Sequence, residues 1–390
     1  MINKNKDRGI TLVALVITII ILLILATISI QSLTNTGLFQ KAQEAKEKTQ
    51  NAEENQSKTL NEYEDAINQY VSGTQPTTVK KVADNIGRVI STTDNTELQD
   101  AYGNKIVVPA GFKITNDAST VDKGIVIEDA TTRATVGSQF VWVPVGKIYT
   151  DIATTEANAK RITLGRFDFN SSTGAESTYS GDYIEEDTND ASTLKNYENK
   201  GIAKNITNFK NSVETNGGYY IGRYEARTAT ARSSKDDTLT QITEKGTDQV
   251  YNYVTQQQAA QQAQNMYNSN KFTSDLMNSY AWDTATLFLQ TCGEEKYSIK
   301  KSVNKSLASR GTNSSDYTGT SDDVCNVYDM ASNVIEWTTE TSNRSNYPCV
   351  SRGGYYGNSF VYTSNRYNGN TSDSIVNFGF RPLLFVGLNS

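Results

Sequence analysis

The sequence predicts an α+β protein in which a long N-terminal helix precedes a β-rich body with irregular loops. Residues 10–30 form an uncharged apolar run, ITLVALVITIIILLILATISI. Residues 36–71 are rich in Ala, Glu, Lys and Gln, which are good helix formers. From about Val82 onward the pattern changes to short β-like runs that are separated by Gly and Asn.

The apolar run is long enough to cross a membrane. As a helix with a rise of 1.5 Å per residue it would span about 31 Å, close to a bilayer core of about 30 Å. The preceding leader, residues 1–9, is basic, and the positive-inside rule therefore places everything after Gln31 outside. The sequence predicts a membrane-anchored protein with an extracellular C-terminal body, at the cell surface or on a pilus.

The end of the leader has the form of a processing site. Arg8 and Gly9 are followed by the hydrophobic Ile10, an arrangement that resembles a type IV prepilin. The resemblance implies cleavage between Gly9 and Ile10 by a prepilin peptidase, with pilus subunits as partners. Ala14 stands where that family usually has Glu, which suits a minor or tip subunit; an uncleaved signal-anchor is the alternative.

The rest of the chain is expected to form a helical stalk (31–72), a linker (73–100) and a body (101–390). A polar, Asn/Thr/Ser-rich stretch at about 148–216 is expected to be a surface insertion. Within the body, strands are predicted at 105–109, 124–129, 139–145 and 217–226, and helices at 255–268 and 278–291.

Composition excludes several functional classes. A net charge of −6 gives a nucleic-acid partner no electrostatic support. The chain has no histidine, which excludes Ser-His-Asp and Cys-His catalysis and His-ligated metals. Its three cysteines, Cys292, Cys325 and Cys349, match no zinc spacing and cannot all pair internally, although one internal bridge is possible.

Two blocks near the C-terminus carry a family resemblance. Residues 326–337 read NVYDMASNVIEW, and the segment that opens with RGG at 352–354 closes with GFRP at 379–382. Together they resemble the end of a formylglycine-generating-enzyme (sulfatase-modifying factor) domain, and the resemblance covers about residues 140–385. It implies a C-type-lectin-like fold, in which Arg352 and Arg381 are structural.

The residues that such an enzyme uses are replaced. The family's catalytic cysteines stand four and nine residues after the second Gly, and those positions are Asn358 and Thr363 here. Neither side chain can form a thiolate. The sequence therefore predicts a protein that binds rather than catalyses; the alternative is unrecognised chemistry, for example by a carboxylate pair of Glu225 and Asp329.

The resemblance also implies a structural calcium ion. In the family this loop ligates calcium, and the corresponding residues are Asn333, Glu336 and the carbonyl of Val334. Oxygen ligands of this kind suit a hard cation. The alternative is that the loop is a half-buried turn that supports the fold.

Residues 355–377 are the predicted ligand-binding segment. They read YYGNSFVYTSNRYNGNTSDSIVN, which combines Tyr with Asn, Ser and Gly. Tyr offers a large contact area at low entropic cost, and Asn and Ser adapt their hydrogen bonds. The predicted contact residues are Tyr355, Tyr356, Asn358, Tyr362, Asn365, Tyr367 and Asn368. The segment also resembles regions diversified by retroelements, although an ordinary Asn/Ser-rich loop is the alternative.

These observations predict an adhesin, a minor or tip pilin-like protein that binds an unknown glycan or protein ligand. The two alternatives are an enzyme of the sulfatase-modifying-factor superfamily and a purely structural pilus subunit.

Overall fold

The computed structural model describes residues 79–185, 206–301, 322–356 and 360–387, together with 17, 19–23, 46 and 49 nearer the N-terminus. The chain divides into two compact units, Met1–Thr78 and Val79–Ser390. In the first unit the described residues are helical. Most of the predicted apolar helix and stalk, and the Gly9–Ile10 cleavage site, lie outside the described residues.

The predicted fold class is wrong. The described residues form mostly small antiparallel sheets with a few short helices, and the long N-terminal helix of the α+β prediction is not seen among them. Across the described ranges we find no helix with the length and apolar character that a bilayer crossing requires. The second unit forms small sheets because its apolar runs are short and are divided by Gly and Asn turns. Each short run pairs with a neighbouring strand.

Twenty strands and three α-helices are found among the described residues of the second unit. The first ten strands are β1 (Thr96–Gln99), β2 (Lys105–Val108), β3 (Phe112–Ile114), β4 (Val126–Asp129), β5 (Gln139–Pro144), β6 (Gly146–Ile148), β7 (Lys160–Ile162), β8 (Phe167–Phe169), β9 (Glu176–Thr178) and β10 (Gly218–Gly222). The others are β11 (Arg227–Thr228), β12 (Gln249–Val250), β13 (Phe272–Leu276), β14 (Asp323–Val324), β15 (Val327–Tyr328), β16 (Ile335–Thr341), β17 (Cys349–Arg352), β18 (Arg366–Gly369), β19 (Phe378–Phe380) and β20 (Pro382–Val386). The helices are α1 (Ile206–Asn216), α2 (Gln256–Met266) and α3 (Ser279–Phe288).

A six-stranded antiparallel sheet forms the centre of the second unit, in the order β13-β20-β10-β5-β4-β3. Its strands are almost entirely buried, which is why they read as continuous runs of Val, Ile, Phe, Tyr and Trp. Trp142 on β5 lies opposite Tyr220 on β10, with the ring centroids 4.9 Å apart. The strands predicted at 139–145 and 217–226 are therefore confirmed as β5 and β10.

A four-stranded sheet carries the C-terminal motifs, in the order β18-β17-β16-β19, with β16 and β19 parallel. Glu336, Arg352 and Arg366 lie opposite one another on β16, β17 and β18. Cross-strand neighbours of this kind share one face of a sheet, so their charged side chains point the same way. Trp337 stacks on Phe378 with the ring centroids 4.4 Å apart.

Both predicted helices of the body are confirmed. Helix α2 begins with a capping box, in which Thr255 and Gln258 exchange side-chain and backbone hydrogen bonds. The Asn278 side chain caps α3 by accepting from the Ala281 amide. Helix α1 was not predicted, because its buried residues at helical spacing stand among Asn, Thr and Lys in a stretch assigned to a surface insertion.

Candidate functional site

The predicted ligand-binding segment, residues 355–377, is called the recognition segment below. It passes over a buried ionic cluster, the arginine cluster, which consists of Arg166, Arg352, Arg366, Asp283 and Glu340. Arg352 and Arg366 face each other on β17 and β18, Glu340 comes from β16, and Asp283 comes from α3. Residues that lie far apart in the sequence therefore meet beneath the segment.

Hydrogen bonds link the arginine cluster internally. The Arg366 guanidinium donates to both oxygens of Glu340, at 3.0 and 3.1 Å, and to Asp283 at 2.5 Å. Arg352 donates to the other Asp283 oxygen at 2.5 Å, and Arg166 donates to Glu340. Burial lowers the pKa of Arg366, but Asp283 and Glu340 outweigh this effect, and the pKa is raised overall. The cluster therefore holds Arg366 as a cation.

The arginine cluster also holds the backbone of the recognition segment. Besides its carboxylate partners, Arg352 donates to the carbonyls of Asn365 and Ser364, at 3.0 and 3.3 Å. Arg366 donates to the carbonyl of Phe167 at 3.2 Å. The prediction that Arg352 is structural is confirmed, because its side chain is fully buried in these contacts.

Tyr179, which follows β9, was missed by the sequence analysis. The Arg166 and Arg366 guanidiniums lie 4.3 and 4.2 Å from the centroid of its ring, within the range of cation–π attraction. The polar stretch that contains β8 and β9 thus contributes directly to the support of the recognition segment. The only sequence feature that could have indicated this role is a tyrosine in an otherwise polar stretch.

The structure brings some of the predicted ligand-binding residues together. The Asn365 amide donates to the Tyr367 hydroxyl at 2.6 Å. Burial raises the pKa of Tyr367, the hydrogen bond from Asn365 lowers it, and the neighbouring Tyr355 raises it, so that Tyr355 belongs to the same group. Tyr356 is buried, and its ring meets Tyr355 edge to face at 6.1 Å between centroids.

The other predicted residues are placed as follows. Tyr362 is half-buried, and the Lys301 ammonium lies 5.9 Å from its ring centroid. Asn368 lies on β18 and is half-buried. Asn358 lies outside the described residues. Phe360 was not predicted, yet its side chain is 82% exposed, the highest exposure among the large hydrophobic residues that the structure describes.

Thr363, at the second position where the resembled enzymes have cysteine, is fully buried. Its carbonyl accepts from the Trp282 indole at 3.1 Å, and its amide donates to the Lys300 carbonyl at 3.2 Å. This residue therefore anchors the recognition segment to the core beside α3.

The predicted calcium ligands are engaged by protein groups. Glu336 accepts from two nitrogens of Arg381, at 2.7 and 3.2 Å, and both side chains are buried. The Asn333 amide donates to Glu225, and the Val334 amide donates to the same carboxylate at 3.0 Å. In the described ranges no three Asp, Glu or Cys residues are grouped so as to hold a metal ion. Calcium stays a prediction; the Asn333 Oδ1 atom is buried and accepts no hydrogen bond from the described residues.

The carboxylates proposed for glycoside chemistry lie inside the protein. Glu225 and Asp329 are almost completely buried, as is Glu244 nearby. Burial raises the pKa values of Glu225 and Glu244 well above the ordinary range of carboxyl groups. Carboxyl groups that are buried this deeply are suited to a structural role.

Glu185 is expected to make the stability depend on pH. Its carboxylate accepts from the Ser279 amide and the Thr339 hydroxyl, both at 2.7 Å. Burial, followed by the charge of Glu340, raises its pKa from 4.5 to about 7. A raised pKa in the folded state stabilises the protein in full below pH 4.5, and this stability is lost as the pH rises through about 7.

We expect Glu185→Gln to remove this pH dependence. Relative to the wild type, the variant should gain about 2–3 kcal/mol of unfolding free energy between pH 5 and pH 8. Urea titrations at the two pH values measure the difference. Glu176→Gln, at an exposed position on β9, is the control and should show no gain. Parallel curves for Glu185→Gln and the wild type would contradict the expectation.

An apolar cleft of about 410 Å³ lies elsewhere in the second unit. Its lining residues come from α1, from α3 and from the segments that follow β5 and β7: Val145, Thr163, Leu164, Lys210, Val213, Glu214 and Tyr280. The Lys210 ammonium lies 3.8 Å from the centroid of the Tyr280 ring. None of the sequence-predicted site residues lines this cleft.

The chain has little similarity to known proteins. No protein-family model matches the chain, and no curated protein matches it. Among solved structures, the chain is similar to Treponema denticola variable protein 1, with 13% sequence identity. The alignment covers 65% of this chain and 98% of that protein, with a TM-score of 0.30. A TM-score this low establishes neither a shared fold nor a shared function.

Proposed function

We propose that this chain is a ligand-binding protein, and that the recognition segment provides the contact surface. The observation that carries the proposal is that a backbone held by buried ion pairs presents aromatic side chains that are partly or largely exposed. The arginine cluster holds the backbone at Ser364 and Asn365, while Phe360, Tyr355 and Tyr367 reach partly or largely into solvent.

This arrangement has the physical properties that binding needs. Aromatic rings contribute a large contact area and have few side-chain torsions to immobilise. A backbone that is already held by ion pairs loses little further entropy when a ligand binds. Arg366, the one cation of the segment, is occupied by Glu340 and Asp283. Recognition through this segment should therefore depend weakly on salt.

Binding is favoured over catalysis by the chemistry of the chain. The sequence contains no histidine, and Asn358 and Thr363 stand at the two cysteine positions of the enzymes that it resembles. Thr363 is buried, and its backbone holds Trp282 and Lys300. These residues support a role in which the segment contacts a ligand and leaves it unchanged.

We place the protein at the cell surface, in the role of a pilus-associated adhesin. This part of the proposal rests on the sequence of the leader, Arg8, Gly9 and Ile10, which resembles a prepilin cleavage site. Mass measurement of the N-terminus in the native host tests it. A mature chain that begins at Ile10 would support processing, and an intact leader would contradict it.

Phe360→Ala is expected to weaken binding without affecting folding. We would display the full chain against an array of glycans and surface proteins, and then measure the affinity of each variant for the bound probe. Loss of an aromatic anchor should lower the affinity about tenfold or more. The melting temperature should be unchanged, since the ring is 82% exposed.

A matched control separates this surface from others. Ile152 is 58% exposed and lies outside the recognition segment, so Ile152→Ala should bind like the wild type. A triple alanine variant of Tyr355, Tyr362 and Tyr367 should bind more weakly than Phe360→Ala. If the folded wild type bound nothing on the array, a structural subunit would become the better proposal.

A further inference from the structure

Two of the three cysteines, Cys292 and Cys325, lie on turns that pack against each other. Cys292 lies in a short π-helical segment, Leu289–Gly293, which follows α3. Cys325 lies in the turn between β14 and β15. A Cβ atom placed on Gly293 would be 3.0 Å from Cys325 Sγ and 2.2 Å from the side chain of Val324. The hairpin turn thus packs directly on the helical turn that carries Cys292.

The turn that presents Cys325 is itself held in place. Cys325 and Asn326 both have positive φ, 48° and 64°, as expected for the two central residues of a type I′ hairpin. The Asn326 amide donates to the carbonyls of Gly124 and Lys123, at 2.8 and 3.2 Å. A Cβ on Gly124 would lie 1.8 Å from the Cys325 carbonyl oxygen, so the two backbones are in direct contact.

The pKa values of both thiols are raised. Burial raises the pKa of Cys292 to about 11. Burial raises the pKa of Cys325 to about 12, and the adjacent Cys292 adds to the effect. Burial therefore disfavours the thiolate of both cysteines in the folded state, and the thiolate is the form that reacts.

We propose that Cys292 and Cys325 form an intramolecular disulfide while the chain folds in the presence of a small-molecule disulfide such as oxidised glutathione. One cysteine thiolate attacks the external disulfide and releases one thiol. The second thiolate then attacks the mixed disulfide and releases the other thiol. Two protein thiols are oxidised and one external disulfide is reduced to two thiols, so atoms and electrons balance.

The bond would fasten the β14–β15 hairpin to the end of α3. This hairpin leads directly into the loop with Asp329 and Asn333, two further residues with positive φ. A covalent link between residues 292 and 325 also restricts the unfolded chain, which raises the stability of the folded state. Cys349 lies on β17, in the four-stranded sheet, and is expected to keep its thiol.

The experiment uses the full chain, refolded with either oxidised or reduced glutathione. Each sample is unfolded in an alkylating reagent, and its mass and peptides are then measured. The oxidised sample should carry one alkyl group, on Cys349, and should yield a peptide that links Cys292 to Cys325. The reduced sample should carry three.

Cysteine variants test which two residues form the bond. Cys349→Ser should keep the linked peptide, and Cys292→Ser should lose it. The melting temperature of the oxidised wild type should exceed that of the reduced wild type, and this difference should disappear in Cys292→Ser. Three alkyl groups in the oxidised wild type, or a bridge that includes Cys349, would overturn the proposal without reliance on any variant.

Discussion

Replacing Arg381 with leucine is expected to destabilise the protein by about 3–5 kcal/mol, as removal of one partner from a buried ion pair does. The guanidinium donates to Glu336 at 2.7 and 3.2 Å, and to the carbonyls of Gly222 and Tyr328 at 2.8 and 2.7 Å. The substitution leaves Glu336 buried without its counter-charge. Glu225 and Glu244, which Arg381 also stabilises as anions, lose that support.

The loss caused by Arg381→Leu should depend on pH. Burial raises the pKa of Glu336, and Arg381 opposes this effect. Without Arg381 the pKa rises further, so the variant should lose stability as the pH increases and recover part of it in acid, where Glu336 is protonated. Denaturant titrations at pH 5 and pH 8 measure this. Arg381→Lys keeps the charge and should lose less; an equal deficit at both pH values would show that the pairing with Glu336 is not the cause.

Glu340→Ala is expected to have an effect of similar size, about 3–5 kcal/mol, and to disturb the recognition segment. The substitution removes the carboxylate partner of Arg166 and leaves Asp283 as the remaining carboxylate partner of Arg352 and Arg366. Repulsion among the guanidiniums should loosen β18 and the backbone that Arg352 holds. Hydrogen exchange at residues 364–369 should therefore become faster, in addition to a lower unfolding free energy.

A second variant distinguishes charge from packing at this position. Glu340→Gln retains the shape and one hydrogen-bond acceptor, so it should cost less than Glu340→Ala. Because the charge of Glu340 contributes to the raised pKa of Glu185, both variants should lower that pKa from about 7. An unchanged pH dependence in Glu340→Gln would contradict the electrostatic link between the two carboxyl groups.

Local sequence predicted several elements because their signals are local. Thr255 and Gln258 form a capping box, and a helix begins there. The run at 139–145, rich in Val with Phe and Trp, is strand β5. Helix α1 was missed because only Ile206, Phe209 and Val213 carry its apolar pattern. The predicted fold class was wrong because local patterns do not determine how short strands assemble into sheets.

The candidate site was predicted in outline and completed by the fold. The flanking arginines, Arg352 and Arg381, were expected to be structural, and both are fully buried in ion pairs. Tyr356 was predicted to contact a ligand, yet it is buried, whereas the neighbouring Phe360 is exposed. Tyr179 was unforeseen, since it approaches the segment from a distant polar stretch.

The sequence by itself determined which chemistry is available: it has no histidine, it places Asn358 and Thr363 at the enzyme cysteine positions, and it concentrates Tyr and Asn in residues 355–377. Only the tertiary structure decided which of those side chains face solvent and which charges meet. Arg366 pairs with Asp283, 83 residues away, and Cys325 reaches the turn that contains Cys292. Such contacts arise from the packing of strands and helices that are remote in the chain, and no local pattern encodes them.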